Sequence, residues 1–210
     1  MLVSELAKMV HENAVAHGWW DEERPPEEIC ALIHSEWSEA LEEARAGRPL
    51  VWYACGESEN SNISCNPQDA DECRMYGMVE VCTYRGNKPE GIAVELIDGC
   101  IRILDYMGYV NLELDTDGVP SQIEMLYSDE NIARVPDSVS KLIAYLHLYT
   151  AQAMATRAFH DIGQLDVFQM CGAMAAALSW VKKHGIDPLA LLMEKHEYNK
   201  TRPYRHGKRF

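Results

Sequence analysis

The segment PPEEICALIHSEWSEALEEARA (residues 25–46) predicts a helix with acidic side chains on its apolar side. At about 100° per residue, one arc of this helix collects the apolar side chains of Ile29, Leu32, Ile33 and Ala40. Glu36 and Glu39 fall within or beside that arc. An acidic face that served only solubility would lie opposite the apolar arc, so these two carboxylates need another explanation.

A second segment, PEGIAVELIDGCIRILDYM (residues 89–107), repeats the pattern. Asp98 shares a helix face with apolar residues, and Glu95 flanks that face. Unpaired carboxylates in an apolar interior cost several kcal/mol or become protonated, and one nearby arginine, Arg102, cannot neutralise four of them. The two acidic pairs therefore predict a bound cation. The alternative is that both helices lie at a solvated edge of a bundle.

Helical periodicity recurs along most of the chain, which predicts an all-α fold. Further helices are expected over residues 3–17, 137–157, 161–184 and 187–199, the last three with the N-caps Asp137, Asp161 and Asp187. Residues 109–136 are predicted to be a long, polar, partly irregular connection. Residues 48–89 are predicted to be an irregular insertion in which residues 78–85 alternate like a short strand. A small β-hairpin within this insertion is the alternative. We expect a single domain over residues 1–210.

Composition and charge exclude several classes of protein. The chain has 47% hydrophobic residues and a net charge of −14, so it can bury a core but would not attract nucleic acids or anionic membranes in general. No apolar run approaches the roughly 18 residues that span a bilayer, and the acidic N-terminal segment does not resemble a signal peptide. We expect a soluble, cytoplasmic protein.

Four of the seven cysteines cluster in the insertion, at Cys55, Cys65, Cys73 and Cys82. A zinc site would be the functional interpretation, but none of the four has the CxxC spacing of a zinc knuckle. We therefore expect reduced thiols without a metal.

The last 16 residues, 195–210, form a basic tail with six of the 19 basic side chains: Lys195, Lys200, Arg202, Arg205, Lys208 and Arg209. Arginine side chains match the geometry of phosphate oxygens. The tail is thus either a solvated end or a segment that orders against an anionic ligand.

The ligand atoms that the two acidic pairs offer limit which metal the chain could bind and which reaction it could catalyse. Carboxylate oxygens favour Mg²⁺ or Mn²⁺ over zinc and copper. Di-iron bundles require ExxH pairs, and neither acidic pair here has a histidine at the fourth position. The chain also lacks a GxxxxGK[ST] loop and a GxSxG motif. Acids on one side and basic groups on the other favour phosphoryl or nucleotidyl chemistry.

Four stretches occur along the chain in the order HGWW (17–20), IHSEWSEALEEARAGRP (33–49), KPEGIAVELIDGCIRILDY (88–106) and KHEYNKTRPYRHGK (195–208). In type and order they resemble MazG-like members of the all-α nucleoside triphosphate pyrophosphohydrolases. The ExxE and ExxD pairs on consecutive helices are the most specific part of this resemblance. Ser35 stands where the family commonly has another glutamate, and the gap between the two pairs is longer than usual.

The resemblance implies a helical bundle of the all-α NTP pyrophosphatase type, with the insertion between its two metal-binding helices. It implies that Mg²⁺ is bound by Glu36, Glu39, Glu95 and Asp98, and that a nucleoside triphosphate is hydrolysed between its α and β phosphates. Glu36 and Glu39 are the expected catalytic residues, with Glu39 as the base. Expected substrate contacts are Arg102, Lys195, Tyr198, Asn199, Arg202 and Lys208 around the phosphates, and Asn13, Trp19 and Trp20 around the base or ribose. Structural packing of the two tryptophans is the alternative.

A second hypothesis is a non-catalytic helical protein that binds a nucleotide or a partner and uses its metal for structure. The resemblance also implies assembly as a dimer or tetramer. The small residues of QMCGAMAAALSWV (169–181) would suit close helix packing, either within one chain or between chains.

Overall fold

Seven α-helices and one pair of short strands make up most of the regular structure in the described residues, and the all-α prediction is confirmed. The structure, a computed structural model, describes residues 1–54, 88–111, 120–160 and 165–207. In chain order the helices are α1 Val3–Ala16, α2 Pro26–Arg45, α3 Ile92–Tyr109, α4 Asp129–Arg134, α5 Val139–His160, α6 Val167–Lys183 and α7 Pro188–Lys200. Within these ranges, no helix combines the length and the apolar character needed to cross a membrane.

The N-terminus of α5 differs from the prediction. The Ser138 hydroxyl accepts a hydrogen bond from the backbone N–H of Lys141 at 3.4 Å, which caps the helix. Asp137, the predicted cap, instead pairs with Lys183 of α6 at 2.6 Å. The prediction of Asp137 as the cap was wrong because a lysine from another helix competes for its carboxylate.

Side-chain caps also begin α6 and α7. Asp166 accepts a hydrogen bond from the Phe168 N–H at 2.9 Å, so α6 begins later than predicted. The predicted cap of that helix, Asp161, lies outside the described residues. The prediction for α7 is confirmed, because Asp187 accepts from the Ala190 N–H at 3.0 Å.

The connection between α3 and α5 is partly regular. It contains a 3₁₀-helix, Ile123–Tyr127, followed directly by α4. Ile123 and Leu126 are buried, and the Ser179 hydroxyl of α6 donates to the Leu126 carbonyl at 3.2 Å. Residues 123–134 are the regular part of this partly irregular connection, and the buried side chains of Ile123 and Leu126 hold the 3₁₀-helix against the core.

Two short strands, β1 Trp52–Ala54 and β2 Lys88–Glu90, pair in an antiparallel register. The Tyr53 hydroxyl donates to Glu194 of α7 at 2.5 Å, and the Trp52 indole N–H donates to Glu43 of α2 at 2.7 Å. The strand pair is thus held between α2 and α7. The predicted strand over residues 78–85 and the four clustered cysteines lie outside the described residues.

Helix α3 lies at the centre of the core. It contacts α1, α2, α6 and α7, and most of its side chains are buried. Gly99 permits the close approach of α2, because a Cβ at this position would lie 2.1 Å from the Trp37 ring. The fully buried Trp37 indole donates to the Thr150 hydroxyl of α5 at 3.0 Å. These contacts fix α2 against α3 and thereby set the spacing of their acidic residues.

The small residues of α6 pack within the chain. Ala173, Ala177 and Val181 are fully buried in the core, and α6 contacts α3 and α5. These small residues therefore pack against other helices of the same chain, and a contact between chains stays a prediction. Assembly as a dimer or tetramer stays a prediction.

Candidate metal centre

Three of the four predicted metal ligands converge. One carboxylate oxygen from each of Glu36, Glu39 and Glu95 lies within 4.8 Å of the other two. Glu36 and Glu95 are 7% and 5% exposed, whereas Glu39 is exposed. The three meet because α2 and α3 pack along their lengths with their acidic faces toward each other. We call Glu36, Glu39 and Glu95 the carboxylate cluster.

The fourth predicted ligand, Asp98, lines the same cleft but has a different partner. Its Oδ2 atom lies 2.9 Å from Nζ of Lys195, a residue that is 1% exposed. The same Nζ donates to the Pro89 carbonyl of β2 at 3.0 Å. Burial alone would lower the pKa of Lys195, but Asp98 and then Glu95 raise it above its ordinary value, so the ammonium stays charged.

Glu36 is compensated by an arginine from the neighbouring helix. Nε of Arg102 donates to Oε1 of Glu36 at 2.9 Å. Burial raises the pKa of Glu36 above its ordinary value, and the Arg102 guanidinium only partly offsets that rise. Among the described residues, Arg102 therefore compensates the Glu36 carboxylate only in part.

The pKa of Glu95 lies far above the ordinary value of a glutamate. Burial, then the Asp98 charge and a hydrogen bond with Glu90, raise the pKa of Glu95 to about 9, with Lys195 opposing the shift. Without a further cation, this carboxyl group is protonated at neutral pH. A divalent cation beside it would restore the carboxylate.

The donor set fits a hard cation. Ligand oxygens about 2.1 Å from Mg²⁺ lie about 3 to 4 Å from one another in an octahedral shell. The cluster spans nearly that separation, and small side-chain rotations would close the difference. Glu36, Glu39 and Glu95 therefore have the chemistry and the spacing to bind Mg²⁺ or Mn²⁺.

The carboxylate cluster opens into a cleft lined by α1, α2, α3, β2 and α7. Six predicted substrate contacts line this cleft together with the acids: Asn13, Trp19, Arg102, Lys195, Asn199 and Arg202. Tyr198 is half-buried and is not among the lining residues. Lys208 lies outside the described residues.

The two tryptophans have different surroundings. The Arg24 and Arg102 guanidinium groups lie over the Trp19 ring, 5.4 and 5.7 Å from its centroid. Trp20 stacks on Tyr109 with centroids 4.2 Å apart, and its indole N–H donates to Asp105 at 2.8 Å. Trp20 therefore packs as a structural residue, whereas Trp19 reaches the cleft.

Sequence reasoning missed Lys88 as a residue of this cleft. Lys88 lines the cleft from β2, where it forms an ion pair with Glu90. No helical or alternating pattern surrounds it, and its position follows from the pairing of β2 with β1. Only its place directly before the second acidic segment could have drawn attention to it.

The cleft thus combines converging carboxylates with Lys88, Lys195, Arg102 and Arg202, a set suited to a divalent cation and a phosphate group. Asn199 lines this cleft, and its buried Oδ1 atom has no hydrogen-bond partner among the described residues. No protein-family model, curated protein or solved structure matches this chain.

Proposed function

We propose that this protein is a Mg²⁺-dependent nucleoside triphosphate pyrophosphohydrolase with a fold of the MazG-like all-α type. One observation carries the proposal: Glu36, Glu39 and Glu95 converge at the edge of a cleft whose other walls supply lysine and arginine side chains. A hard cation would bind the carboxylates of this cleft, and a polyphosphate would bind its lysine and arginine side chains.

The carboxylate cluster would hold the cation, with Asp98 beside it. When bound, magnesium neutralises phosphate charge and lowers the pKa of a coordinated water. Glu39 is the exposed member of the cluster, so its carboxylate is the one that a substrate water can reach. Glu36 is held in place by Arg102, which suits a ligand more than a base.

Lys195 is suited to bind a phosphate oxygen. An ammonium group has three donors, and Asp98 and the Pro89 carbonyl use two of them among the described residues. The third can point to a ligand in the cleft that Lys195 lines. Lys88 and Arg202 supply further positive charge along the same cleft.

The reaction proposed is hydrolysis between the α and β phosphates. Water attacks the α phosphorus and passes a proton to a carboxylate oxygen of Glu39. The bond from the α phosphorus to the bridging oxygen breaks, and its electron pair leaves with pyrophosphate. Val10 and Ala14 of α1, together with Asn13 and Trp19, line the same cleft, and we assign them to contacts with the nucleoside.

The test is pyrophosphate release from a panel of ribo-, deoxyribo- and modified nucleoside triphosphates with Mg²⁺. Glu39→Gln should lower kcat by about 100-fold or more, because it removes the base while keeping the side-chain shape. Glu12→Gln is the matched control, since Glu12 is an exposed glutamate of α1. Absence of turnover across the panel would reject the proposal.

A nucleotide-binding protein without catalysis is the second candidate. The observation that favours it is the internal pairing of Asp98 with Lys195 and of Glu36 with Arg102, which partly compensates the cleft without any ligand. This candidate predicts stabilisation by a nucleotide, about 2.7 kcal/mol at 100 times Kd, with no pyrophosphate formed. Measuring melting and product on one sample separates the two.

A further inference from the structure

The C-terminal residues 202–207 cross from the end of α7 to the turn that follows α1. We propose that Tyr204 and Arg205 form a latch that positions Arg202 for binding of a polyphosphate, an inference that rests on the proposed function of the cleft. Neither Tyr204 nor Arg205 lines the cleft in which Arg202 lies. Both would therefore act only by holding Arg202 in position.

Several polar contacts fasten this latch to the turn. The Arg205 backbone N–H donates to the His17 carbonyl at 3.0 Å, and its Nε donates to the Gly18 carbonyl at 3.0 Å. The Tyr204 hydroxyl donates to the Asp21 carboxylate. His17 and Trp19, the residues on either side of Gly18, both line the cleft.

Gly18 is shaped for this contact. It has a φ of +77°, which favours glycine, and a Cβ at this position would lie 2.1 Å from a ring carbon of Tyr204. The aromatic ring therefore packs directly on the glycine. Any larger residue at position 18 would push Tyr204 away from the turn.

The backbone of the latch is itself constrained. Arg205 has a φ of +47°, an uncommon conformation for a residue other than glycine. Such conformations persist where surrounding contacts hold them in place. Here the contacts to His17 and Gly18 do so, and they indicate a docked segment rather than a solvated tail.

The latch connects the end of α7 with the turn after α1, and both of these segments contribute residues that line the cleft. Arg202 lies two residues before Tyr204 and approaches the cleft from the end of α7, whereas His17 and Trp19 approach it from the end of α1. Release of the latch would let Arg202 move while leaving α2 and α3, and so the carboxylate cluster, unchanged. Polyphosphate affinity should then fall without a change in affinity for Mg²⁺ alone.

Gly18→Ala tests this directly, with Gly185→Ala as the matched control. Gly185 has a similar φ of +82°, but nothing lies within 4 Å of a Cβ built there. Both variants carry the backbone strain, and only Gly18→Ala displaces Tyr204. Tyr204→Ala is the second variant, since Tyr204 is 58% exposed and its removal should not prevent folding.

The probe is inorganic tripolyphosphate with Mg²⁺, which does not depend on base preference. Calorimetric titration should give a Kd about tenfold higher for Gly18→Ala and for Tyr204→Ala than for the wild type and Gly185→Ala. The Kd for Mg²⁺ alone should stay the same in all four proteins. Trypsin should cleave after Arg205 about fivefold faster in the two latch variants.

A tripolyphosphate Kd within about twofold of the wild type in both latch variants would overturn the inference. Failure of the wild type to bind tripolyphosphate would overturn it as well. A weaker Kd in the latch variants, in a protein that releases no pyrophosphate from any nucleotide, would support the latch and reject the pyrophosphohydrolase proposal.

Discussion

Nζ of Lys195 lies 2.9 Å from Oδ2 of Asp98, and the lysine is 1% exposed. A buried ion pair contributes little net stability, but loss of one partner leaves the other charge without compensation. The pair also places the ammonium group at the carboxylate cluster, next to Glu95. Loss of Lys195 would therefore affect both the stability of the core and the charges in the cleft.

Lys195→Met should lower the free energy of unfolding by about 3 kcal/mol at neutral pH, because the Asp98 carboxylate would lose the cation that compensates it. Urea denaturation measures this loss. The double variant Lys195→Met/Asp98→Asn should recover most of the stability but not the pyrophosphate release. A single variant as stable as the wild type would show that the pair is not coupled in this way.

Stability in EDTA should fall as pH rises, because of Glu95. Its pKa is raised from 4.5 to about 9 in the folded protein, so folding favours the protonated form. This contribution is fully present below about pH 4.5 and is lost as the pH rises to about 9. Melting temperatures in EDTA across this range measure the slope.

Mg²⁺ should reverse that slope, because binding of the cation displaces the Glu95 proton. Its stabilising effect should therefore grow with pH until about pH 9. Glu95→Gln, which keeps the shape of the protonated form, should remove both the slope and the response to Mg²⁺. A response to Mg²⁺ that is the same at every pH would contradict the assignment of Glu95 as a ligand.

A pair of histidines predicts a second pH effect of opposite sign. Nδ1 of His34 on α2 lies 2.7 Å from Nδ1 of His147 on α5, and burial lowers the pKa of both below 6.5. Between the lowered pKa values and about pH 6.5, the unfolded chain therefore binds more protons than the folded protein does. The contribution of this pair to the free energy of unfolding is present above about pH 6.5 and is lost as the pH falls.

Urea denaturation on both sides of about pH 6.5 measures the effect of the histidine pair. His147→Gln should reduce the loss of stability in acid, because only one of the two imidazoles remains to be protonated. His184→Gln is a control outside the pair, since His184 lies on α6's C-terminal end. An equal loss of stability in acid for His147→Gln and the wild type would rule out this role.

Lys88→Met should weaken substrate binding with little effect on stability. Lys88 is 39% exposed at its side chain, so loss of its ion pair with Glu90 should change stability by about 0.5 kcal/mol or less. KM for a nucleoside triphosphate should rise about tenfold, because a charge facing the phosphates is lost. The control is Lys182→Met, at an exposed position of α6. Equal KM values for the two variants would exclude Lys88 from the site.

Local periodicity was sufficient to predict the helices that carry the acids. The apolar arc of α2 is buried at Ile29, Ile33 and Ala40, and Glu36 is buried beside it as its position in the wheel predicted. The match arises because a helix packed on one side fixes which residues face inward. Glu95 of α3 is buried for the same reason, since it flanks the apolar face of its helix.

Features set by distant contacts could not be predicted. Asp137 had the sequence of a helix cap, yet Lys183 from another helix binds its carboxylate. Trp20 is held by Tyr109 and Asp105, both far away in sequence. Lys88 reaches the cleft through strand pairing. In each case the deciding partner comes from another element, so no local pattern contains it.

The central claim is that Glu36, Glu39 and Glu95 together bind a hard cation beside a polyphosphate. A crystal grown with Mn²⁺ and tripolyphosphate tests it most directly, through the anomalous signal of the metal. The account predicts a manganese peak about 2.2 Å from oxygens of these three carboxylates and of the polyphosphate. A manganese ion bound elsewhere, with no peak between α2 and α3, would contradict it.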